Sequence, residues 1–251
     1  MKFFIRSLFF KLGYNIKPRL INENLEDIDE ELIEIINSVK KYTLTSPERM
    51  IALINSIQYV VKNQIPGSIV ECGVWKGGSM MLVAKILLSL NKTDYDLYLF
   101  DTFTGTTKPN KYDLDYSGNS MLKIWNKEFE GKKKLPSSAD HVPLNEVKKN
   151  LLSTGYPKEK IHFIQGDVMD TIPKNAPEKI SLLRLDTDWY ESTKHELNNL
   201  FPSLTSAGIL IIDDYGHFQG SKKAVDEYFE ENKISSFLFR IDYTGRLCIK
   251  Q

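Results

Sequence analysis

Residues 68–90 read SIVECGVWKGGSMMLVAKILLSL, and this stretch decides the fold. Residues 68–72 form a short apolar strand that stops at Gly73. Gly77-Gly78 then opens an apolar helix over 79–90. The same strand-then-helix rhythm recurs on the C-terminal side. LYLF at 97–100 ends at Asp101, and IHFI at 161–164 leads to Gly166-Asp167. ISLLRL at 180–185 ends at Asp186 and is followed by a helix over 191–201. GILII at 208–212 ends at Asp213-Asp214 and is followed by a helix over 221–231. Such alternation predicts an α/β domain whose mostly parallel sheet is covered on both faces. Two final strands, 237–241 and 246–250, are joined by Asp242-Tyr243-Thr244-Gly245. They read as a hairpin that adds an antiparallel edge.

On the N-terminal side, Ser46-Pro47-Glu48 starts a helix that runs to about Lys62: Ser caps, Pro opens the first turn and Glu meets the positive helix end. Residues 21–45 show helical spacing at Leu25, Ile28, Leu32 and Ile36. The predicted organisation is an N-terminal helical arm with packing helices over 1–62 and an α/β domain over 63–251. One segment breaks the rhythm. Residues 102–145 carry Gly, Pro, Lys and Ser with little periodicity, directly after a strand end where ligands bind. The part at 104–142 reads as a lid-like insertion.

Composition narrows the class. With 251 residues, one α/β domain with extra loops fits best, and 41% hydrophobic residues suffice for its core. Lys+Arg and Asp+Glu both number 33, which argues against a nucleic-acid binder that works by bulk charge. Two cysteines, Cys72 and Cys248, lie in apolar runs and read as buried thiols, which suits a reducing, cytoplasmic setting. The start, MKFFIRSLFFKLGYNIKPRL, is interrupted by Arg6 and Lys11 and has no signal-peptide cleavage pattern or spanning run. It reads as an arm packed on the domain or on a second subunit of a homo-oligomer. Peripheral membrane contact is the alternative.

The sharpest pattern is the placement of acids. Glu71, Asp101, Asp167, Asp186 and Asp213-Asp214 lie in or just after strand C-termini, which line the ligand crevice of an open parallel sheet. Acids gathered there repel one another unless they hold cations, ribose hydroxyls or amines. The first turn has glycines at 73, 77 and 78, not the G-x-G-x-x-G spacing of a dinucleotide site. Glu71 would repel a pyrophosphate and welcome a cationic amino acid and sulfonium. The turn therefore suits S-adenosylmethionine better than NAD. Asp101 stands where a ribose is held, and Asp167 where an adenine amine would be met. Asp186-Thr187-Asp188 and Asp213-Asp214, on neighbouring strand ends, are within reach of one ion. Carboxylates without thiolates favour Mg²⁺, or Mn²⁺ or Ca²⁺, over zinc.

At these residues the chain resembles the macrocin O-methyltransferase family, the macrolide-sugar methyltransferases and their relatives. The resemblance rests on VECGVWKGGS (70–79), FDTFTG (100–105), VKKNLLSTGYP (147–157), FIQGDVMDTIP (163–173), LRLDTDWYEST (183–193) and GILIIDDYGHFQGSKKAVDEYF (208–229). It implies a Rossmann-like, seven-stranded methyltransferase sheet and Mg²⁺-dependent O-methylation. It implies cation ligands at Asp186, Asp213 and Asp214, with Asp186 also the base. Cofactor contacts would come from Glu71, Gly73, Ser79, Asp101 and Asp167, and Asp188 and Tyr190 would face the acceptor. Thr187 departs from the glycine expected at its position, and the 104–142 segment has no counterpart in the motif set. His217 is a rival base, since histidine titrates in the right range. His141, on the insertion, could touch the acceptor.

The expected function is therefore methylation of a hydroxyl on a sugar, glycan or glycosylated natural product. A cation would stabilise the forming alkoxide while Asp186 takes the proton. Rival readings are methylation of a catechol-like phenol, a non-catalytic S-adenosylmethionine-binding subunit, and an NAD-dependent dehydrogenase.

Overall fold

The computed structural model describes residues 28–129 and 141–251. The aromatic, basic stretch at 1–20 and the middle of the insertion lie outside the described residues. The compact unit that carries the sheet and its pocket runs over Ile35–Gln251.

Three helices begin the described chain: α1 (Glu30–Val39), α2 (Pro47–Lys62) and α3 (Gly78–Ser89), the last following strand β1 (Ser68–Cys72). Strand β2 (Leu97–Asp101), helices α4 (Met121–Phe129) and α5 (Leu144–Leu152), and strand β3 (Ile161–Gln165) come next. Then follow α6 (Val168–Thr171), β4 (Ile180–Leu185), α7 (Tyr190–Leu200), β5 (Leu204–Ile212), α8 (Gln219–Glu231), β6 (Phe239–Arg240) and β7 (Arg246–Ile249). The seven strands form one sheet in the order β3-β2-β1-β4-β5-β7-β6. The first five are parallel, and β7 is antiparallel to β5 and β6. The expected mostly parallel sheet with a C-terminal antiparallel hairpin is thus observed.

The boundaries follow from local chemistry. Ser46 caps α2 by accepting the Arg49 amide at 3.2 Å, with Pro47 at the first position. Gly77, at φ 86°, precedes α3 in the left-handed region, where a Cβ is disfavoured. β5 starts four residues earlier than the sequence pattern shows, because Ala207 at φ 63° lets an irregular segment pair before the regular run begins. β6 is only two residues long and exposed, since nothing covers its outer side among the described residues.

β1 and β4 are central and buried along nearly all their length. Val70, Leu183, Leu185 and Leu210 anchor the core, each side chain worth roughly 1.5–3 kcal/mol on full burial. Arg184 is the exception in an otherwise apolar or small-polar strand: it is only 3% exposed, so a buried guanidinium must be met by carboxylates. Those carboxylates stand at the sheet's C-terminal edge. Cys72 and Cys248 are both buried free thiols, as their apolar surroundings predict.

The insertion is more structured than its weak periodicity suggests. Leu114 bridges Ser120, Asp115 bridges Phe218, and α4 follows. Buried Asp113 ties the segment down by accepting the amides of Asn110 at 2.6 Å and Tyr190 at 2.8 Å. Gly220 makes this fit possible, since a Cβ there would lie 2.0 Å from Asp113 Oδ1. No helix among the described residues is long and apolar enough to cross a membrane.

Candidate active site

A pocket of about 400 Å³ opens at the C-terminal ends of the parallel strands. Glu71, Asp101, Asp167, Asp186, Asp213 and Asp214, the acids singled out in the sequence, all line it. So do Gly73, Ser79, Asp188 and His217. Such a crevice outside the strand ends is where ligands bind in open α/β sheets.

The β1–β3 side is built around backbone amides. Asp101 Oδ2 accepts Val74 N at 2.6 Å and Trp75 N at 3.1 Å, while Oδ1 accepts Phe103 N at 2.7 Å. The carboxylate expected to hold a ribose therefore also pins the glycine turn to the β2 end. Asp167 caps α6 through Met169 N at 3.0 Å. Gly73, at φ 83°, lets the first turn lie against the next strand tip: a Cβ there would come 1.9 Å from the Asp186 carbonyl oxygen. Glu71 is buried. Its Oε1 accepts Arg184 Nη1 at 2.6 Å, and its Oε2 has no hydrogen-bond partner among the described residues. Burial pushes its pKa up to about 8, against the lowering effect of Arg184. A buried carboxylate oxygen without a donor, in a pocket wall, fits the ammonium of an amino-acid-bearing cofactor.

The β4–β5 side is built around charges. Arg184 Nη1 donates to Asp186 Oδ2 at 2.7 Å, and Nη2 donates to Asp213 Oδ1 at 2.5 Å and to Thr45 Oγ1 at 3.2 Å. Arg49 donates to Asp213 Oδ2 and, at 3.0 Å, to Asp242 Oδ2. Carboxylate oxygens of Asp186, Asp188 and Asp214 lie within 4.8 Å of one another. Burial raises Asp214 well above the usual carboxylate range, and the charges of Asp188, Asp186 and Asp213 raise it further. Burial likewise pushes Asp186 up to about 6, opposed by Arg184. Crowded acids with raised pKa values are relieved by a hard cation, so this donor set fits one.

The gathered trio differs from the expected ligand set. Asp188 stands with Asp186 and Asp214 in this group, while guanidinium groups hold both oxygens of Asp213, the third residue of the expected set. Asp188 reaches the site through a left-handed backbone, φ 67°, and its amide donates to Asp214 Oδ2 at 3.1 Å.

Two expected acceptor contacts lie elsewhere. Tyr190 turns to α8, donating to Glu227 Oε2 at 2.7 Å, and does not line the pocket. His141 is exposed and does not line it either. His217 does, with Nδ1 3.1 Å from the Tyr243 hydroxyl and its ring against Phe218. Trp189 is buried behind Phe218 and donates to Thr107 O at 2.8 Å. Thr187, the departure from the family pattern, donates to buried Glu196 at 2.9 Å.

Sequence reasoning passed over Arg184, Arg49, Asp113 and Glu196. Only Arg184 left a signal, a lone charge inside the run ISLLRL.

This seven-stranded sheet, with an acid-lined crevice at its edge, is shared with methyltransferases among its structural neighbours. The solved O-methyltransferase NovP superposes with a TM-score of 0.73 at 28% identity, covering 84% of this chain and 82% of that one. The family model described as macrocin O-methyltransferase (TylF) matches residues 36–249, and the chain belongs to that family. It is an S-adenosylmethionine-dependent O-methyltransferase. Demethyldecarbamoylnovobiocin O-methyltransferase of Streptomyces niveus is 30% identical over 81% of this chain and 74% of its own length. The 8-demethyl-8-(2,3-dimethoxy-alpha-L-rhamnosyl)-tetracenomycin-C 4'-O-methyltransferase of Streptomyces olivaceus is 29% identical over 81% and 74%.

Proposed function

We propose that this enzyme methylates a sugar hydroxyl on a glycosylated small molecule, using a divalent cation, Mg²⁺ by preference, at Asp186, Asp188 and Asp214. The observation that carries the reading is the convergence of those three carboxylates in the same pocket as the unpartnered Glu71 oxygen. The sugar acceptor is supported by the relatives: the name of the Streptomyces olivaceus enzyme specifies a rhamnosyl-bearing acceptor.

S-adenosylmethionine supplies an electrophilic methyl, and a hard cation supplies charge that favours the alkoxide form of the acceptor. The protein does the rest. Glu71 receives the cofactor's ammonium, Asp101 and Asp167 its nucleoside, and Gly73 keeps the turn close to the strand tips. Asp186 accepts the hydroxyl proton. Arg184 fixes one of its oxygens and leaves the other for the pocket. Phe218, backed by Trp189, gives the pocket an apolar wall that excludes water.

The test is turnover of labelled S-adenosylmethionine on a panel of glycosides and catechols, with Mg²⁺ or with chelator. We expect methylated glycoside only with the cation. Asp186→Asn should lose roughly a hundredfold or more, the usual scale for removing a general base. Full activity in that variant ends the assignment of Asp186. Product from catechols alone moves the acceptor to phenols. Cofactor binding without turnover on any acceptor favours a non-catalytic subunit.

A further inference from the structure

Asp213 is the acid of the β4–β5 tips whose two oxygens are both held by guanidinium groups, and the two guanidiniums differ in freedom. Arg184 is 3% exposed and is also bound to Glu71, Asp186 and Thr45. Arg49 comes from the first turn of α2, is 13% exposed, and lines the pocket. It has a second carboxylate in hand. Asp242, in the β6–β7 turn, accepts its Nε at 3.0 Å. Asp242 does not depend on Arg49 for its own position. Its Oδ1 accepts Thr244 N at 2.9 Å and Gly245 N at 2.6 Å, and its Oδ2 accepts Ser46 Oγ at 2.9 Å. The β6–β7 turn is fastened to the site in turn, through Thr244 Oγ1 on Asp213 O at 2.7 Å.

Arg49 thus stands between a carboxylate beside the cation site and one outside the pocket lining. We infer that Arg49 is a positioning residue of the cation site: it holds Asp213 Oδ2 in the cation's stead, and on cation binding it withdraws to Asp242, so that Asp213 joins Asp186, Asp188 and Asp214. The inference rests on the proposed cation site. Its physical basis is competition. A divalent cation and a guanidinium seek the same oxygen, and the cation's double charge wins where it is also drawn by three further carboxylates. Arg49 then retains a partner, so no buried charge is stranded by the exchange. Without the cation, Arg49 offsets part of the mutual repulsion of the acids. A fourth carboxylate also brings the set nearer to the six oxygens a hard cation takes, with water or acceptor supplying the rest.

The two partners of Arg49 give variants with opposite expected signs. Arg49→Met keeps much of the side-chain stem and removes the competitor, while Asp213 retains Arg184. Asp242→Asn keeps the Oδ1 that caps the turn and removes the charge to which Arg49 withdraws. Mn²⁺ is the probe, measured directly by electron paramagnetic resonance of the free ion over the full-length protein without cofactor. Arg49→Met should bind Mn²⁺ about tenfold more tightly than the parent, and Asp242→Asn several-fold more weakly. A residue that merely braces the fold would weaken binding in both variants. Equal or weaker binding in Arg49→Met, with circular dichroism unchanged, overturns the inference while leaving the cation site standing. Absence of Mn²⁺ binding in the parent overturns both.

Discussion

The two halves of the sheet edge use the same residue type in opposite ways. At the β1–β3 tips the acids are settled by backbone. Asp101 accepts three amides, and Asp167 caps a helix. At the β4–β5 tips the acids face guanidiniums or one another, and burial with mutual repulsion raises Asp214 and Asp186. A carboxylate answered by amides shapes a loop for a neutral ligand part. Carboxylates gathered beyond the charge available to answer them favour a cation. Topological position alone does not distinguish these roles, since both sets follow parallel strands. What differs is whether the following turn offers amides to the acid or sets a second acid beside it.

Gly73 is the seam between the halves, and breaking it should have the largest effect. A Cβ there meets the Asp186 carbonyl at 1.9 Å, and the backbone is left-handed at φ 83°. Gly73→Ala should cost on the order of 2–4 kcal/mol of stability and weaken cofactor and Mn²⁺ binding together. Denaturant unfolding and the two binding assays check this. A variant that loses only cofactor affinity would show that the halves are independent. The next effect separates them. Asp101→Asn turns one amide acceptor into a donor facing backbone N–H groups, at a cost of about 1–3 kcal/mol. Cofactor affinity should fall while Mn²⁺ affinity stays near that of the parent. An equal fall in both would contradict the division.

The halves were also unequally legible. Strand-end acids were visible as positions in a pattern, because a period-two or fully apolar run ends sharply and the acid after it is hard to miss. The sheet, the closing hairpin and the pocket acids follow from that pattern. Which oxygen meets which partner does not. That guanidiniums hold both Asp213 oxygens is not legible, because Arg49 lies far away in sequence, on a helix whose charge pattern is ordinary. The family resemblance implies Tyr190 at the acceptor, yet the first turn of α7 points its hydroxyl to Glu227. The insertion looked irregular because its order comes from single long-range anchors, Asp113 above all, and not from periodic burial.

Glu71 belongs to both halves, and its titration gives the smallest and finest test. It stands on β1 with the cofactor turn but shares Arg184 with Asp186. Burial, partly opposed by Arg184, lifts its pKa from 4.5 to about 8. The folded protein therefore binds a proton at Glu71 over a range where the unfolded chain has released it. With more protons on the folded side, stability falls as pH rises, from the unfolded value of 4.5 through about 8, and is flat beyond. Glu71→Gln has no such loss. Thermal melts of both proteins from about pH 5 to about pH 9 should show the variant gaining on the parent across that window, while the other groups cancel in the difference. Saturating S-adenosylhomocysteine should shrink the gain, because an ammonium beside the unpartnered oxygen stabilises the ionised acid. A difference that does not change with pH would mean that Arg184 alone keeps Glu71 charged. Glu71 would then belong with the acids of the cation side, already answered by a guanidinium, and the cofactor half would lose its one acid with an unmet charge.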